Sequence, residues 1–522
     1  MQRVVLTAAL IVLGAALLPT AAVAHPERPS AFPDGKGEFP KVRKSGKALV
    51  VCKADSRNRS NRLRSGKARR PNRALLRRCR YRHIQQAVDA AKNGHRILVL
   101  PGVYREQPSR RVPNPQPKCK DMYVNADGRE VKVPSYEYEY NCPNSRNLIA
   151  VIGDGPDADR KCDRKCNIQI EGTGARARDV LIVGDRRKQN VIKGDRADGI
   201  VLTNFTIQYS EYNNIYVHET DGFRFNRIVS RWSREYGFLS FTSDHGIYED
   251  LNTYGNGDAG VYPGSGPETH GKRYGIHLRR VNSHHNLQGN SGSAGNGLWF
   301  YNNRFHHNNV GIVVDSFSRG HPGSPQDSSK WTNNRIYSNN ENYFTAERDE
   351  YCKKPWLERS PKVVCPAVMI PIGTGLLVAG GNDNIIKRNY IYDNWRNGTM
   401  LFSVPAAIRG ETDPAKANDT SHNNLQSQNY MGIRPGGASD PNGTDFWWDE
   451  GGERNCWENN RTAAGRSLVT NPNVLPACPG RSERLPANPD KFAELIPCAS
   501  WDPDTNTDPA GCNWFTLPSE PR

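Results

Sequence analysis

Apolar residues recur along this chain in short alternating bursts that open on Gly or Asn: Gly199-Ile200-Val201-Leu202, Asn214-Ile215-Tyr216-Val217, Gly237-Phe238-Leu239-Ser240, Gly260-Val261-Tyr262-Pro263, Gly297-Leu298-Trp299-Phe300, Gly311-Ile312-Val313-Val314 and Gly375-Leu376-Leu377-Val378. Period-two alternation over so few residues predicts short strands. The steps from Asn214 to Gly237 and from Gly237 to Gly260 are both 23 residues. An internal period of that size predicts a solenoid, here a parallel β-helix in which each short strand stacks on the strand of the next coil. Between the strands, Phe305-His306-His307-Asn308, Ile336-Tyr337-Ser338-Asn339 and Ile391-Tyr392-Asp393-Asn394 share one spacing. Asn tolerates the left-handed backbone of tight turns, and stacked Asn side chains can bond along a ladder. Helical patterning is confined to residues 81–92, where Ile84, Ala87, Val88 and Ala91 form one stripe ahead of Gly94 and a strand over 96–100.

The order Ala48-Leu49-Val50-Val51, a basic loop, Ile84-Gln85-Gln86-Ala87-Val88-Asp89-Ala90-Ala91, then Ile97-Leu98-Val99-Leu100-Pro101-Gly102-Val103-Tyr104-Arg105-Glu106 resembles the opening of the pectin-lyase-like superfamily. The resemblance runs over about residues 48–400, and the coils around Gly257-Asp258-Ala259-Gly260-Val261-Tyr262 look like bacterial NosD-type right-handed β-helix repeat proteins. It implies an all-β, right-handed parallel β-helix whose first coil is closed by a capping helix, and it says far less about reaction. The ordered Asn-Thr-Asp, Asp-Asp, Gly-His-Gly series of polygalacturonases is missing, as are the Asp-Pro-His of alginate epimerases and a Gly-x-Ser-x-Gly nucleophile motif. Those chemistries are disfavoured. Lyase chemistry stays open, because its base can be a lone Arg, Lys or His.

Residues 1–24 read as a secretory signal: Met1-Gln2-Arg3, an apolar run over 4–18, and Ala22-Val23-Ala24 before His25. No later stretch approaches the roughly 20 apolar residues that span a bilayer, so a secreted, extracellular, monomeric protein is expected. Twelve Cys in an exported chain predict disulfides. Cys162 and Cys166 lack a partner pair at zinc-finger spacing and are read the same way. None of the Cys falls between 166 and 352, so the middle coils must hold without staples. The net charge is +17, yet residues 53–82 alone hold 13 Lys or Arg against Asp55, a net +12 that leaves +5 for all the rest. That loop suits anionic polymers and argues for no specific nucleic acid. The expected organisation is a signal peptide over 1–24, an N-terminal extension over 25–47, the β-helix over 48–403 with its basic loop at 53–82, and a last coil with a disulfide-tied Cys/Trp cap over 404–522. A solenoid needs such a cap to cover its final coil.

In a Gly-led strand the first and third following residues point inward and the second and fourth outward. The outward set is Tyr216 and His218, Leu239 and Phe241, Tyr262, Trp299 and Tyr301, Val313 and Asp315. Exposed, these rings would form a strip that stacks on the sugars of a linear polysaccharide; covered by a loop such as 263–273 or 320–330, they would be a second core. Glu235 and Asp258 each precede their Gly by two places and are expected to stack about 4.8 Å apart. Such a pair needs a cation, calcium being the one expected, or a shared proton; the other reading is a turn-capping pair. Asp221 and Asp244 form a similar pair in a less regular register. Arg234, His218, His245, Lys272 and Arg273 can supply a base or bind acid groups. His284-His285 and His306-His307 can hold a metal or fill turns, the latter favoured because Asn takes those places elsewhere. The candidate catalytic set is therefore Glu235, Asp258, Asp244, His245, His218 and Asp315. The candidate substrate-binding set is Tyr216, Phe241, Tyr262, Trp299, Tyr301, Arg234, Lys272 and Arg273. The expectation is a lyase or hydrolase of an extracellular polysaccharide, with a non-catalytic glycan-binding surface protein as the rival. A copper-enzyme maturation role would want Met or Cys near exposed His, and the chain has five Met and no Cys in its middle coils.

Overall fold

The computed structural model describes residues 27–126, 130–157, 161–318, 321–413, 416, 420–501 and 509–522. The expected signal peptide lies outside the described residues. Three long sheets of 12, 10 and 11 strands dominate, called here sheets I, II and III. One turn of chain gives one strand to each: Asn213–His218 to sheet III, Asp221–Asn226 to sheet I and Val229–Arg231 to sheet II, followed by Phe238–Phe241, Asp244–Glu249 and Asn252–Tyr254. Neighbouring coils pair in parallel, Ile215 on Phe238 and Phe238 on Val261. The 23-residue step is thus a true coil, and those three side chains are sealed inside. This is a right-handed parallel β-helix.

Its interior is one continuous apolar column from Val51 to Trp457, with Phe225, Phe238 and Tyr248 in mutual ring contact. At the N-terminal end the helix Ile84–Ala90 lays Ile84, Ala87 and Val88 on the first coil. Glu106 secures it by accepting from the backbone N–H groups of Ile84 (2.9 Å) and Gln85 (3.0 Å), a negative charge placed at a helix N-terminus. Tyr104 donates its hydroxyl to the Leu100 carbonyl at 2.7 Å. The Pro-Gly-x-Tyr-x-Glu stretch is therefore a closure device.

The Asn residues that follow the strands of sheet II do form a ladder. Asn256, Asn286, Asn308, Asn339, Asn394 and Asn442 each donate to the next at 2.7–3.1 Å, and all are buried. A second ladder links Asn303, Asn334, Asn389, Asn429 and Asn460. The left-handed residue, however, is the one before each Asn: His307, Ser338 and Asp393, at φ 50°, 51° and 51°. Asn is required for the buried amide chain, where each group satisfies the next, and not for the turn dihedral.

Six disulfides pair near neighbours: Cys52–Cys79, Cys119–Cys142, Cys162–Cys166, Cys352–Cys365, Cys456–Cys478 and Cys498–Cys512. They close local loops and leave the coils to the core and the ladders. The basic segment is helical over Ser56–Asn61 and Gly66–Leu76, because Leu75 and Leu76 pack on Val50 and Leu100 while the cations face water. At the far end, Cys456–Glu458 and Thr470–Asn471 are the last strands of sheets I and III. Trp501, Trp514 and Phe515 then fold back along the outer side of sheet III instead of only closing the final coil. No helix among the described residues is long and apolar enough to cross a membrane.

Candidate functional site

The Gly-led bursts belong to two different sheets. Tyr216, Leu239, Phe241, Tyr262, Val313 and Asp315 sit on sheet III, whereas Trp299 and Tyr301 sit on sheet I. The single exposed strip expected from the alternation does not exist. Tyr216, Tyr236, Leu239, Phe241 and Tyr262 are 2–3 % exposed and form a second apolar cluster, so their expected role as a sugar-stacking surface is corrected. Lys193 lies over the Tyr216 ring with Nζ 3.3 Å from its centroid, and His321 meets Phe241 edge-on at 5.0 Å. Further along, the segment carrying Tyr343, Phe344, Ile370 and Ile372 joins the C-terminal Trp and Phe residues over Val313, Leu377 and Met400.

His218 is sealed here too. Ser30 is 2.7 Å from its Nε2, and burial, with Arg28 and Lys193 close by, pushes it down to about 3. A ring so held stays neutral. Its interior place excludes direct contact with a long polymer. Asp315 accepts from Ser293 at 3.0 Å and from the Phe317 N–H at 3.0 Å. It shares a cavity of about 80 Å³ with Asp258, Tyr236 and Tyr262.

Glu235 and Asp258 do lie on consecutive coils, the Asp258 N–H donating to the Glu235 carbonyl at 3.1 Å. Burial followed by the charge of Asp258 pushes Glu235 up to about 8, and burial pushes Asp258 up to about 7. Asp258 accepts from Gln288 Nε2 at 2.8 Å beside Tyr262. Glu235 instead faces a separate cavity of about 200 Å³ beneath the Cys352–Cys365 loop, beside Arg234 and Trp356. Calcium asks for six to eight oxygen ligands. Two carboxyl groups that open to different cavities do not form such a cage together. The shared site expected beside Tyr262 is therefore corrected to two separate positions.

Chemistry collects instead at the mouth of sheet I. Asp198, Asp221 and Asp244 form a column at the starts of successive sheet I strands, Asp221 pairing in register with Asp244 and its N–H donating to Asp198 Oδ1 at 2.8 Å. His245 Nδ1 lies 2.6 Å from Asp221 Oδ1. This hydrogen bond, ahead of burial and of the Asp244 charge, raises the imidazole above its ordinary range. Arg273 clasps Asp244 with both nitrogens, one at 2.7 Å, and its charge is felt at His245. Lys272 stands exposed beside it. Asp244, His245 and Arg273 from the sequence-derived set are thus brought together. Asp221, Asp244 and His245 each offer one ligand atom within 4.8 Å of the others, but the Arg273 guanidinium already neutralises this cluster.

The open face of sheet I continues from there. His277 lies 5.4 Å from Trp299, the Trp299 and Tyr301 rings are 4.5 Å apart, and Lys330 Nζ is 5.5 Å from the Trp299 centroid. Trp299, Lys330, Ile385, Lys387, Arg388 and Leu425 then border a groove of about 330 Å³. The rings stay half-buried and the cations reach water. Sequence reasoning found Trp299 and Tyr301 here but missed His277, Lys330, Lys387 and Arg388. The alternation of Ile276-His277-Leu278-Arg279 was the available signal.

The N-terminal extension crosses this mouth. Arg28 is 4 % exposed and joins Asp195 at 2.9 Å to Glu219. The Gly37 N–H donates to Asp221 Oδ2 at 2.7 Å, and Phe39 stands 5.4 Å from His245 and 4.8 Å from His277. Arg43 donates onward to the Gly94 carbonyl at 2.6 Å.

No family model matches the chain, and no curated protein matches its sequence. Among solved structures, the chain is similar to the mannuronan C-5 epimerase AlgE4 A-module of Azotobacter vinelandii at 12 % identity, over 77 % of this chain and 95 % of that one, with a TM-score of 0.43. It is also similar to an alginate lyase of Paenibacillus sp. str. FPU-7 at 10 % identity, over 74 % and 94 %, with a TM-score of 0.32. A third similar structure is PfbA, a surface adhesin of Streptococcus pneumoniae, at 10 % identity, over 73 % and 84 %, with a TM-score of 0.37. By its own coils and ladders, this chain is a right-handed parallel β-helix protein.

Proposed function

We propose that this is a secreted, carbohydrate-active β-helix enzyme that binds an acidic polysaccharide along the open face of sheet I and cleaves it by β-elimination. The observation that carries this reading is the Asp221–His245 pair, 2.6 Å apart, at the head of a strip of rings and cations. Half-exposed Trp299 and Tyr301 give flat apolar faces for sugar rings, and Lys330, Lys387 and Arg388 give a row of positive charge for uronate groups.

In β-elimination a base removes the proton on the carbon next to the uronate carboxyl, the electrons of that bond form a new carbon–carbon double bond, and the glycosidic oxygen leaves from the neighbouring carbon and takes up a proton from solvent. With its Nδ1–H given to Asp221, His245 keeps Nε2 free to accept that proton. Asp221 fixes the tautomer and stabilises the imidazolium formed. Arg273 is held in place by its ion pair with Asp244 and keeps 40 % of its side chain exposed, so its remaining N–H groups can donate to the substrate carboxylate and lower the charge that builds on the adjacent carbon. Both roles use residues of this chain alone.

The test is incubation with a panel of acidic and neutral polysaccharides, reading the ultraviolet absorbance of a new unsaturated uronate end. The reading expects such an end from an acidic polymer only, and expects His245→Ala to remove it. New reducing ends without unsaturation would assign hydrolysis. Binding without turnover would leave a glycan-binding surface protein.

A further inference from the structure

Sheet II carries a feature unconnected to that face. Its outward side is a stack of rings running Tyr254, His284, His306, Tyr337 and Tyr392, each 4.8–5.3 Å from the next and within 17° of parallel. Two of those histidines end strands that pair in register, and each is followed by a second histidine held in the left-handed region, His285 at φ 52° and His307 at φ 50°. That bend turns the second ring nearly perpendicular to the first, by 84° and 88°. In both pairs it points Nδ1 at Nδ1, at 2.7 Å for His284–His285 and 2.8 Å for His306–His307.

The far nitrogens settle the protons. His284 Nε2 lies 3.2 Å from Asn252 Oδ1, and His306 Nε2 lies 3.0 Å from Asn282 Oδ1. Asn252 Oδ1 also accepts from Asn282 Nδ2 at 2.7 Å, so the two amides run in one donor–acceptor chain along the coils. His284 and His306 therefore carry their proton on Nε2 and present a bare lone pair at Nδ1. An outer N–H held by a carbonyl oxygen is the arrangement that orients metal-binding imidazoles.

We infer that each pair, His284–His285 and His306–His307, is a bidentate site for a divalent transition-metal ion that favours right-angled nitrogen ligands, such as Ni²⁺ or Cu²⁺. Metal–nitrogen bonds of about 2.0–2.1 Å place two nitrogens about 2.9 Å apart at a right angle and about 3.3 Å apart at a tetrahedral one. The observed separations are close to the first, and imidazole suits these metals. When the ion enters, the proton on Nδ1 of His285 or His307 passes through solvent to Nε2 of the same ring. Both ligands stay neutral and no net proton is released. The two sites repeat on adjacent coils with rings 5.3 Å and 5.5 Å apart. Two bound ions would repel, so the second binds more weakly than the first. A single Nδ1–H···Nδ1 hydrogen bond would explain one pair. The same pair on two coils, with the tautomer fixed by Asn each time, points to a ligand.

The test is calorimetric titration of the mature protein with Ni²⁺, and electron paramagnetic resonance with Cu²⁺ to count bound nitrogens. His285→Asn with His307→Asn keeps residues that accept the left-handed bend, and circular dichroism and melting temperature verify the fold. Stepwise Ni²⁺ binding that this double variant abolishes is the expected result. Asn252→Ala with Asn282→Ala should weaken it roughly tenfold or more, and His270→Ala, in the separate Glu268–His270–Asp327 cluster, should leave it unchanged. Failure of the wild type to bind Ni²⁺, or binding that survives in the folded double variant, would overturn the inference and leave two hydrogen-bonded turns.

Discussion

The outward faces of sheets III and I are built from the same kinds of residue and end in opposite environments. On sheet III, Tyr216, Leu239, Phe241 and Tyr262 are sealed beneath other parts of the chain. On sheet I, His277, Trp299, Tyr301, Lys330 and Lys387 keep contact with water. The inward halves of both faces feed one core and obey one rule. The difference lies in what comes back over each face. Sheet III receives the segments around Tyr343 and Ile370 and the C-terminal Trp501, Trp514 and Phe515. Sheet I receives the narrow N-terminal extension, which crosses at the Asp221–His245 end, and the short stretch that sets Arg273 on Asp244 and Tyr274 5.9 Å from Trp299. Rings on a β-helix exterior are thus a second core or a binding strip according to their cover.

The comparison breaks most sharply at His245. Its replacement by Ala should lower the cleavage rate by about 10²–10⁴-fold with little change in melting temperature. Asp315→Asn, on the covered face, should leave turnover in place. Initial rates on the best acidic polymer check both, and equal losses would erase the distinction between the faces. In the wild type the rate should rise with pH through the raised range of His245, because the base works only when deprotonated and Asp221 favours its charged form.

Next come the rings. Phe241→Ala should cost about 3–5 kcal/mol of stability, read as a shift in denaturant midpoint, while leaving polymer affinity in the folded fraction intact. Trp299→Ala should do the reverse, weakening binding in affinity electrophoresis with the midpoint nearly unmoved. Arg28→Ala belongs with the first kind. It leaves Asp195 and Glu219 as buried charges short of a partner, a loss of about 3–5 kcal/mol.

A smaller effect sharpens the view of Glu235. Its carboxyl stays protonated up to about 8, so the native state holds a proton that the unfolded chain releases from about pH 4.3 upward. Native stability therefore falls as pH rises through that window. Glu235→Gln should melt no lower than the wild type at pH 7 and higher at pH 9, with chelator changing neither value. The smallest effect expected is from Phe39→Ala, which opens His245 and His277 to solvent and should raise the rate on long polymers without altering the fold. An unchanged rate would mean that the extension is no barrier at the site.

Period-two alternation with a 23-residue step contained the coils, because inward positions in a stacked solenoid must be apolar whatever lies outside. The Asn spacing likewise contained the ladders, since a buried amide on one coil requires another on the next. The even Cys count matched six local disulfides, and the helix-to-Glu106 stretch matched the closed first coil. The same alternation gave Tyr216 and Trp299 one address, away from the core. It could not tell sheet III from sheet I, since both are read by the same period and differ only in where the chain turns. Nor could it show that Trp514 returns across some 200 residues to cover one face, or that Gly37 and Phe39 meet Asp221 and His245. Those contacts join segments remote in sequence, and only the tertiary structure decided them. Asp244, His245 and Arg273 were legible as chemistry-bearing residues. Their union depended on the register that sets Asp221 beside Asp244, and on the 270s loop that brings a guanidinium back to neutralise them.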